Sequence, residues 1–257
     1  MTPPATIDLF LIGIGTGNPD HVTAQAAKAI AAADLILVPL KGDDKADLAG
    51  LRMAICESCI TNPTTRIETF DLPSRDPATP EYLERVNDWH DTIAAIWHDR
   101  IARHLAAGGG PRIALLVWGD PSLYDSTLRI AARVAKHQLL RLTVIPGITA
   151  IQALCAAHAI PLNDLAAPVL ITTARNLRAL GLPSDAKTVV VMLDSGGAFG
   201  AIDQIGVTIW WAAYLGMPEE ILISGPLSEV SAQIIATRAE ARARHGWIMD
   251  IYLLRRS

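Results

Sequence analysis

Three short segments of this 257-residue chain carry residue types that can do chemistry at a strand end: Gly13-Ile14-Gly15-Thr16-Gly17-Asn18-Pro19, Trp118-Gly119-Asp120-Pro121-Ser122 and Val144-Ile145-Pro146-Gly147-Ile148-Thr149-Ala150. Each follows or closes an apolar run, the position at which open α/β sheets collect ligands. In the second segment Gly119 permits close backbone approach, Pro121 stiffens the turn, and Asp120 offers a carboxylate or exposed carbonyls to a cationic or hydroxylated ligand. The same residues also make ordinary turns. In the third, Thr149 stands near a helix start as either an N-cap or a ligand-binding hydroxyl. The first segment invites comparison with a dinucleotide loop. Its glycines are spaced G-x-G-x-G rather than G-x-G-x-x-G, and the second strand ends in Val38-Pro39-Leu40 where a ribose-binding acid would stand, which argues against a nicotinamide dinucleotide. It reads either as a tight strand-to-helix turn or as an active-site loop that lets a large ligand reach the backbone.

Other groupings carry less. Cys56 and Cys59 form a C-x-x-C pair, but no second ligand pair accompanies them and three cysteines make no disulfide framework, so neither a metal nor a redox role is expected. His90, with Asp88 and Asp91, lies beside the apolar stripe of a helix, where solvated surface charge is the expected explanation. Trp210, Trp211 and Trp247 are large enough to stack on a flat ligand, although Trp more often fills a core.

The elements that must position these loops follow from periodicity. Residues 7–14 read as a buried strand, 23–33 as an Ala-rich helix, and 35–38 as a second strand stopped by Pro39, a βαβ opening. A Pro-containing connection over 71–80 leads into apolar residues at helical spacing from Tyr82 to Leu105, ended by Gly108-Gly109-Gly110-Pro111. A strand over 112–117, a helix beginning near Ser122, a strand over 142–145 and a helix through Ala159 continue the alternation, as in a parallel sheet. Beyond Pro161 the apolar runs at 169–172, 188–193, 207–211, 221–224 and 247–254 are separated by fewer long helices, which predicts a mixed sheet. The chain is therefore expected to form two α/β domains, residues 1–161 with a mostly parallel sheet and 162–257 with a mixed one.

Hydrophobic residues make up 51% and charged residues 19% of the chain, with no apolar run long enough to span a membrane. The first eight residues lack a basic n-region, so a cytoplasmic location is expected. A formal net charge of -4 supplies no overall basic footprint for nucleic acid.

Taken together, the three loops in this order and spacing resemble the class III (tetrapyrrole or precorrin) S-adenosylmethionine-dependent methyltransferases. The likeness continues in Thr188-Val189-Val190-Val191-Met192-Leu193, similar to that family's strand ending in Met, and in Tyr214-Leu215-Gly216-Met217-Pro218-Glu219-Glu220, similar to its Pro-[Asp/Glu]-Glu segment. It thus covers nearly the whole chain. Residues 118–126, the insertion over 71–97 and the ending His245-Gly246-Trp247-Ile248-Met249-Asp250 resemble the branch that methylates precorrin-5 at ring carbon 1 and releases acetate.

The resemblance implies a fold with S-adenosyl-L-methionine bound in a cleft between the two domains, a homodimer, and no metal. By position it implies cofactor contacts from Gly119, Asp120, Leu123, Thr149 and Ala150, and from Met192 or Leu193 and Tyr214 or Leu215, the register being open at both places. It makes Gly15, Thr16 and Gly17 part of a substrate-side loop. A precorrin bears many carboxylates, for which Arg129, Arg175 and Arg178 are candidate partners. Methyl transfer from an already activated sulfonium asks mainly for alignment and exclusion of water. Deacetylation asks for a general base and an oxyanion donor, for which Asp120, Tyr124, Asp125 and His21 are the candidates. The rival readings are a related methyltransferase acting on another precorrin, on a diphthamide precursor or on ribosomal RNA, a nucleotide-dependent oxidoreductase, and a non-catalytic binding module.

Overall fold

The structure is a computed structural model that describes residues 6–40, 46–74 and 81–256. It divides into two compact units, one made of residues up to Gly15 with Pro19–Ile148, the other of Thr16–Asn18 with the chain from Thr149 onward.

In the first unit five strands, β1 (Ile7–Gly13), β2 (Leu35–Leu40), β3 (Arg66–Asp71), β4 (Arg112–Val117) and β5 (Leu140–Ile145), form an all-parallel sheet in the order β3-β2-β4-β1-β5. Helices α1 (Ala24–Ala31), α2 (Ala46–Cys59), α3 (Tyr82–Ala106) and α4 (Thr127–Val134) cross between them. Alternate strand residues feed two cores. Leu9, Leu11, Leu37, Ile113 and Leu115 pack with Ile93, Trp97 and Ile101 of α3 and with Ile130 and Val134 of α4. Ile12, Ile36, Val38, Ala114 and Leu116 pack with Ala26 and Ile30 of α1 and with Ile55 and Cys56 of α2. Burial on both faces explains why these strands read as unbroken apolar runs.

Pro39 does not stop β2, which continues to Leu40; pairing with β4 ends at Leu37, so Pro39 has only β3 beside it and one missing N–H is tolerated. The helix expected near Ser122 begins at Thr127, because Asp125 accepts from the Thr127 amide (2.6 Å) and Tyr124 stands in the left-handed region (φ 49°), which no helix continues through. His90 is not a surface charge but is 2% exposed, while its neighbour Asp91 does lie at the surface, paired with Arg133 at 2.6 Å. Helix α2 and strand β3 carry no clear sequence signal. Of the connection expected over 71–80, residues 75–80 lie outside the described residues.

In the second unit β6 (Val169–Thr173), β7 (Thr188–Met192), β8 (Val207–Ala213), β9 (Ile221–Pro226) and β10 (Asp250–Arg256) form a mixed sheet in the order β6-β7-β10-β8-β9. Only β6 and β7 pair in parallel; β10 is antiparallel to both β7 and β8. Helices α5 (Ala150–Ala157), α6 (Ala174–Leu180) and α7 (Leu227–His245) complete the unit. The 19-residue α7 is not among the elements expected from the sequence, and one of its inward positions is taken by Arg238 instead of an apolar residue. Trp211 and Trp247 are buried core side chains, and Trp210 lies under the Arg255 guanidinium at 5.3 Å. Among the described residues no helix is long and apolar enough to cross a membrane.

Candidate functional site

Parallel pairing of β1 with β4 and β5 brings their carboxyl ends to one edge of the first unit's sheet, and with them the three glycine-bearing loops. The contact is close enough to require glycine. A Cβ on Gly147 would stand 2.1 Å from the Gly119 carbonyl oxygen and 2.8 Å from Gly13 Cα, so no side chain fits. The Gly119 amide donates to the Gly15 carbonyl at 2.7 Å, and the Gly15 amide returns a longer bond of 3.4 Å. Gly15 (φ 79°) also turns its Cα against His21, whose Cβ would lie 2.5 Å from an added methyl. The structure therefore gathers Gly15, Gly119 and His21 around one point.

Asp120 holds this arrangement. Its Oδ2 accepts from the Gly147 amide at 2.9 Å, and its Oδ1 accepts from the Ser122 amide at 2.8 Å and the Ser122 hydroxyl at 2.5 Å. Partial burial pushes the carboxyl up, but the Ser122 and Gly147 hydrogen bonds outweigh it and hold Asp120 below the ordinary carboxylate value. Both oxygens are thus committed to protein donors. Asp125 is committed in part, its Oδ1 accepting from the Thr127 amide and hydroxyl, and its carbonyl accepting from the Arg129 guanidinium at 2.8 Å. Between them Tyr124 is 43% exposed, with its hydroxyl pKa raised by desolvation. The Leu123 amide closes the turn onto the Asp120 carbonyl at 3.3 Å.

Arg52 of α2 is a part of this site that the sequence does not signal. Its Nε donates to the Leu116 carbonyl at 3.3 Å and its guanidinium lies 5.1 Å from the Trp118 ring centroid, under the turn that carries Gly119 and Asp120. Burial lowers its pKa to about 10, against the opposing charge of Asp125. Cys56, one turn along the same helix, is buried, with its thiol pushed up to about 12 by desolvation, which suits packing and not nucleophilic or metal chemistry.

In the second unit Thr149 caps α5: its hydroxyl accepts from the Ile151 amide at 3.2 Å and Gln152 accepts from the Thr149 amide at 3.0 Å, a capping box that opens the helix at Ala150. In this unit's sheet β7 and β8 are both antiparallel to the β10 strand between them, so their carboxyl ends share one edge. Each ends in a left-handed residue, Leu193 (φ 57°) after β7 and Tyr214 (φ 53°) after β8, and such backbone cost concentrates at functional loops. Leu193 is 65% exposed, whereas Tyr214 and Leu215 are buried and Met192 is half-buried.

Asp194, following Leu193, accepts from the Gly196 amide and Arg178 at Oδ1 (both 2.8 Å) and from the Ala198 amide (2.6 Å) and Tyr252 hydroxyl (2.8 Å) at Oδ2. Burial alone raises the Asp194 carboxyl; the two amides, Tyr252 and the Arg178 charge reverse this and leave it below the ordinary value. Arg178 is thereby tied to Asp194, and Arg129, Arg175 and Arg178 are all exposed on their helices.

In the first unit the loops around Gly15, Gly119 and Gly147 offer backbone amides and carbonyls, and in the second the ends of β7 and β8 offer the exposed Leu193 and the buried Leu215. Backbone groups and apolar side chains of this kind are common means of holding a small ligand. Among the described residues no group of His, Cys, Asp or Glu is arranged to hold a metal ion.

Comparison with known proteins shows the family. The sequence matches the family Tetrapyrrole (Corrin/Porphyrin) Methylases over residues 8–231. It is 46% identical over 250 residues to a Sinorhizobium protein named precorrin-6A synthase [deacetylating], covering 96% of this chain and 95% of that one. The crystal structure of a cobalamin synthesis related protein (CobF) from Corynebacterium diphtheriae superposes with a TM-score of 0.82 at 36% identity, over 98% of this chain and 99% of that one. A uroporphyrin-III C-methyl transferase from Thermus thermophilus, complexed with S-adenyl homocysteine, shares the fold at a TM-score of 0.59 and 16% identity, over 96% of each chain. With two α/β units, three converging strand-end loops, a family match over most of its length and a near full-length relative, this chain belongs to the tetrapyrrole methylase family.

Proposed function

We propose that this protein transfers a methyl group from S-adenosyl-L-methionine to ring carbon 1 of precorrin-5 and releases the ring's acetyl group as acetate, giving precorrin-6A in cobalamin biosynthesis. The observation that carries the reading is the 46% identity to the deacetylating precorrin-6A synthase over 96% of the chain. In this reading the enzyme works in the cytoplasm as a homodimer on a small tetrapyrrole, without a metal, nucleic acid or a membrane.

When bound, S-adenosylmethionine supplies an electrophilic methyl, so the protein's task is alignment and exclusion of water. Gly119, Asp120, Leu123, Thr149 and Ala150 hold it from the strand-end loops, with Asp120 acting as a brace and Thr149 as a helix cap. From the mixed sheet we assign Leu193, the exposed left-handed residue, ahead of Met192, together with Tyr214 and Leu215. Gly15, Thr16 and Gly17 face the macrocycle. Arg129, Arg175 and Arg178 are the candidate partners of its carboxylates, with Arg129 also holding the Asp125 carbonyl and Arg178 the buried Asp194.

For deacetylation, water adds to the acetyl carbonyl, the carbon–carbon bond to the ring breaks, its electron pair passes into the macrocycle, and acetate leaves. His21, against Gly15, takes the proton from that water; Tyr124, whose raised pKa keeps it protonated, donates to the developing oxyanion. Asp120 is poorly suited to be the base, since both of its oxygens already accept hydrogen bonds.

The test is incubation with precorrin-5 and methyl-labelled S-adenosylmethionine, followed by mass spectrometry of the pigment and an acetate assay. Label with equimolar acetate is expected. Label without acetate removes the deacetylating assignment, and no label removes the substrate assignment.

A further inference from the structure

Helix α7 turns Leu227, Ile234, Arg238 and Ala241 inward, a buried stripe that is apolar except for one guanidinium. The Arg238 side chain is only 10% exposed. Its Nε donates to Asp250 Oδ2 at 2.9 Å, and its Nη2 donates to the Asp194 carbonyl at 2.8 Å and more weakly to Asp250 Oδ1 at 3.4 Å. Asp250 Oδ2 also accepts from Trp211 Nε1 at 3.1 Å. A buried ion pair adds little net stability over apolar side chains of the same volume. What an apolar side chain cannot do is bond two turns at once.

The two turns are those that present Leu193 and Tyr214. Asp194 is the residue after Leu193, and Asp250 pairs across the sheet with Ala213, the residue before Tyr214. The segment leading into Asp250 completes the grip. Tyr214 donates its hydroxyl to the Trp247 carbonyl (2.6 Å) and its amide to the Met249 carbonyl (3.0 Å), and its ring meets the Trp247 and His245 rings edge-on at 5.0 and 5.2 Å. The ending from His245 to Asp250 is thus the cradle of one strained strand end, tied through Arg238 to the other.

We infer that Arg238 is a positioning residue that locks the turn after β7 to the turn after β8, holding Leu193 and Tyr214 in fixed relation for the cofactor. The inference rests on the cofactor reading proposed above. A left-handed conformation at a non-glycine residue persists only where its surroundings over-determine it. Arg238 supplies a restraint common to both positions.

The test uses the full-length protein with Arg238→Lys, which keeps the charge but cannot place two N–H groups in a fork. A second variant, Arg238→Met with Asp250→Leu, replaces the pair by apolar side chains and guards against a folding defect. Native hydrogen exchange is read at the Gly196, Ala198 and Tyr214 amides, and S-adenosylhomocysteine affinity by calorimetry, at matched fraction folded. We expect exchange at all three amides to rise in both variants, affinity to fall on the order of tenfold, and KM for S-adenosylmethionine to rise with kcat little changed. A merely structural role would lower the melting temperature and leave that split unmoved. Wild-type exchange and affinity in either folded variant overturn the inference. Absence of S-adenosylhomocysteine binding to the wild-type protein overturns the cofactor reading instead, and the exchange at the two turns still decides whether Arg238 couples them.

Discussion

Asp120 Oδ2 accepts a hydrogen bond from the Gly147 amide at 2.9 Å, joining the turn after β4 to the turn after β5. A loop residue that looks like a ligand or a base is here a brace between two loops, and its second oxygen is held by Ser122. The brace has consequences that can be measured.

Asp120→Ala leaves the Gly147 and Ser122 donors without acceptors. Loss of stability is expected at about 1–3 kcal/mol, toward the low end because the site is partly exposed to water. Asp120→Asn, which keeps one oxygen, should lose less. Thermal melts of the two variants, compared with S-adenosylhomocysteine affinity, check this; equal melting temperatures for Ala and wild type would show that the brace contributes nothing.

The Asp120 carboxyl lies below its ordinary value, so it takes up its proton at lower pH in the folded than in the unfolded chain. Its contribution is therefore fully present above the unfolded carboxylate pKa of about 3.9 and is lost as the pH falls through the lower folded value. The Gly147 amide resonance, followed from neutral pH downward, should hold its position through about pH 4 and shift only below it. A shift centred at or above that pH would contradict the arrangement.

Gly147→Ala should disrupt the site more severely than Asp120→Ala, because the added methyl would stand 2.1 Å from the Gly119 carbonyl oxygen and backbone on both sides must move. Overpacking of this kind costs about 1–3 kcal/mol or more. Expression with a wild-type melting temperature and full methyl transfer would show that the loops are looser than the structure depicts.

Leu193→Gly separates backbone cost from ligand contact. The left-handed conformation costs a non-glycine residue roughly 1–2 kcal/mol, offset in part by the entropy that glycine adds to the unfolded chain. With the side chain 65% exposed, little burial is lost. The variant should be as stable as wild type or slightly more so, yet bind S-adenosylhomocysteine more weakly. Unchanged affinity would assign the contact to the backbone alone.

The Cys56 thiol, buried and pushed up to about 12, should resist alkylation in the native protein. Iodoacetamide at about pH 8 followed by peptide mass spectrometry should leave Cys56 unlabelled until denaturant is added. Labelling of Cys56 at the rate of a free thiol would mean that α2 opens locally.

Local pattern alone determined a great deal. The apolar runs of β1, β4, β7, β8 and β10 and the stripe of α3 are legible because each buries a regular set of side chains, and the three loops are legible because glycine and proline punctuate strand ends. What stayed hidden shares one cause, which is contact between residues far apart in the chain. Strand β3 exposes Arg66 and Asp71 at a sheet edge and shows no apolar run; α7 conceals its inward face because Arg238 occupies it; Arg52 meets Trp118 only after α2 packs on the sheet. Tertiary structure likewise decided what Asp120 does. Its type and place beside Gly119 follow from the sequence, but whether its oxygens serve a ligand or the Gly147 amide depends on which backbone donors the parallel sheet brings within 3 Å, and no local spacing encodes that.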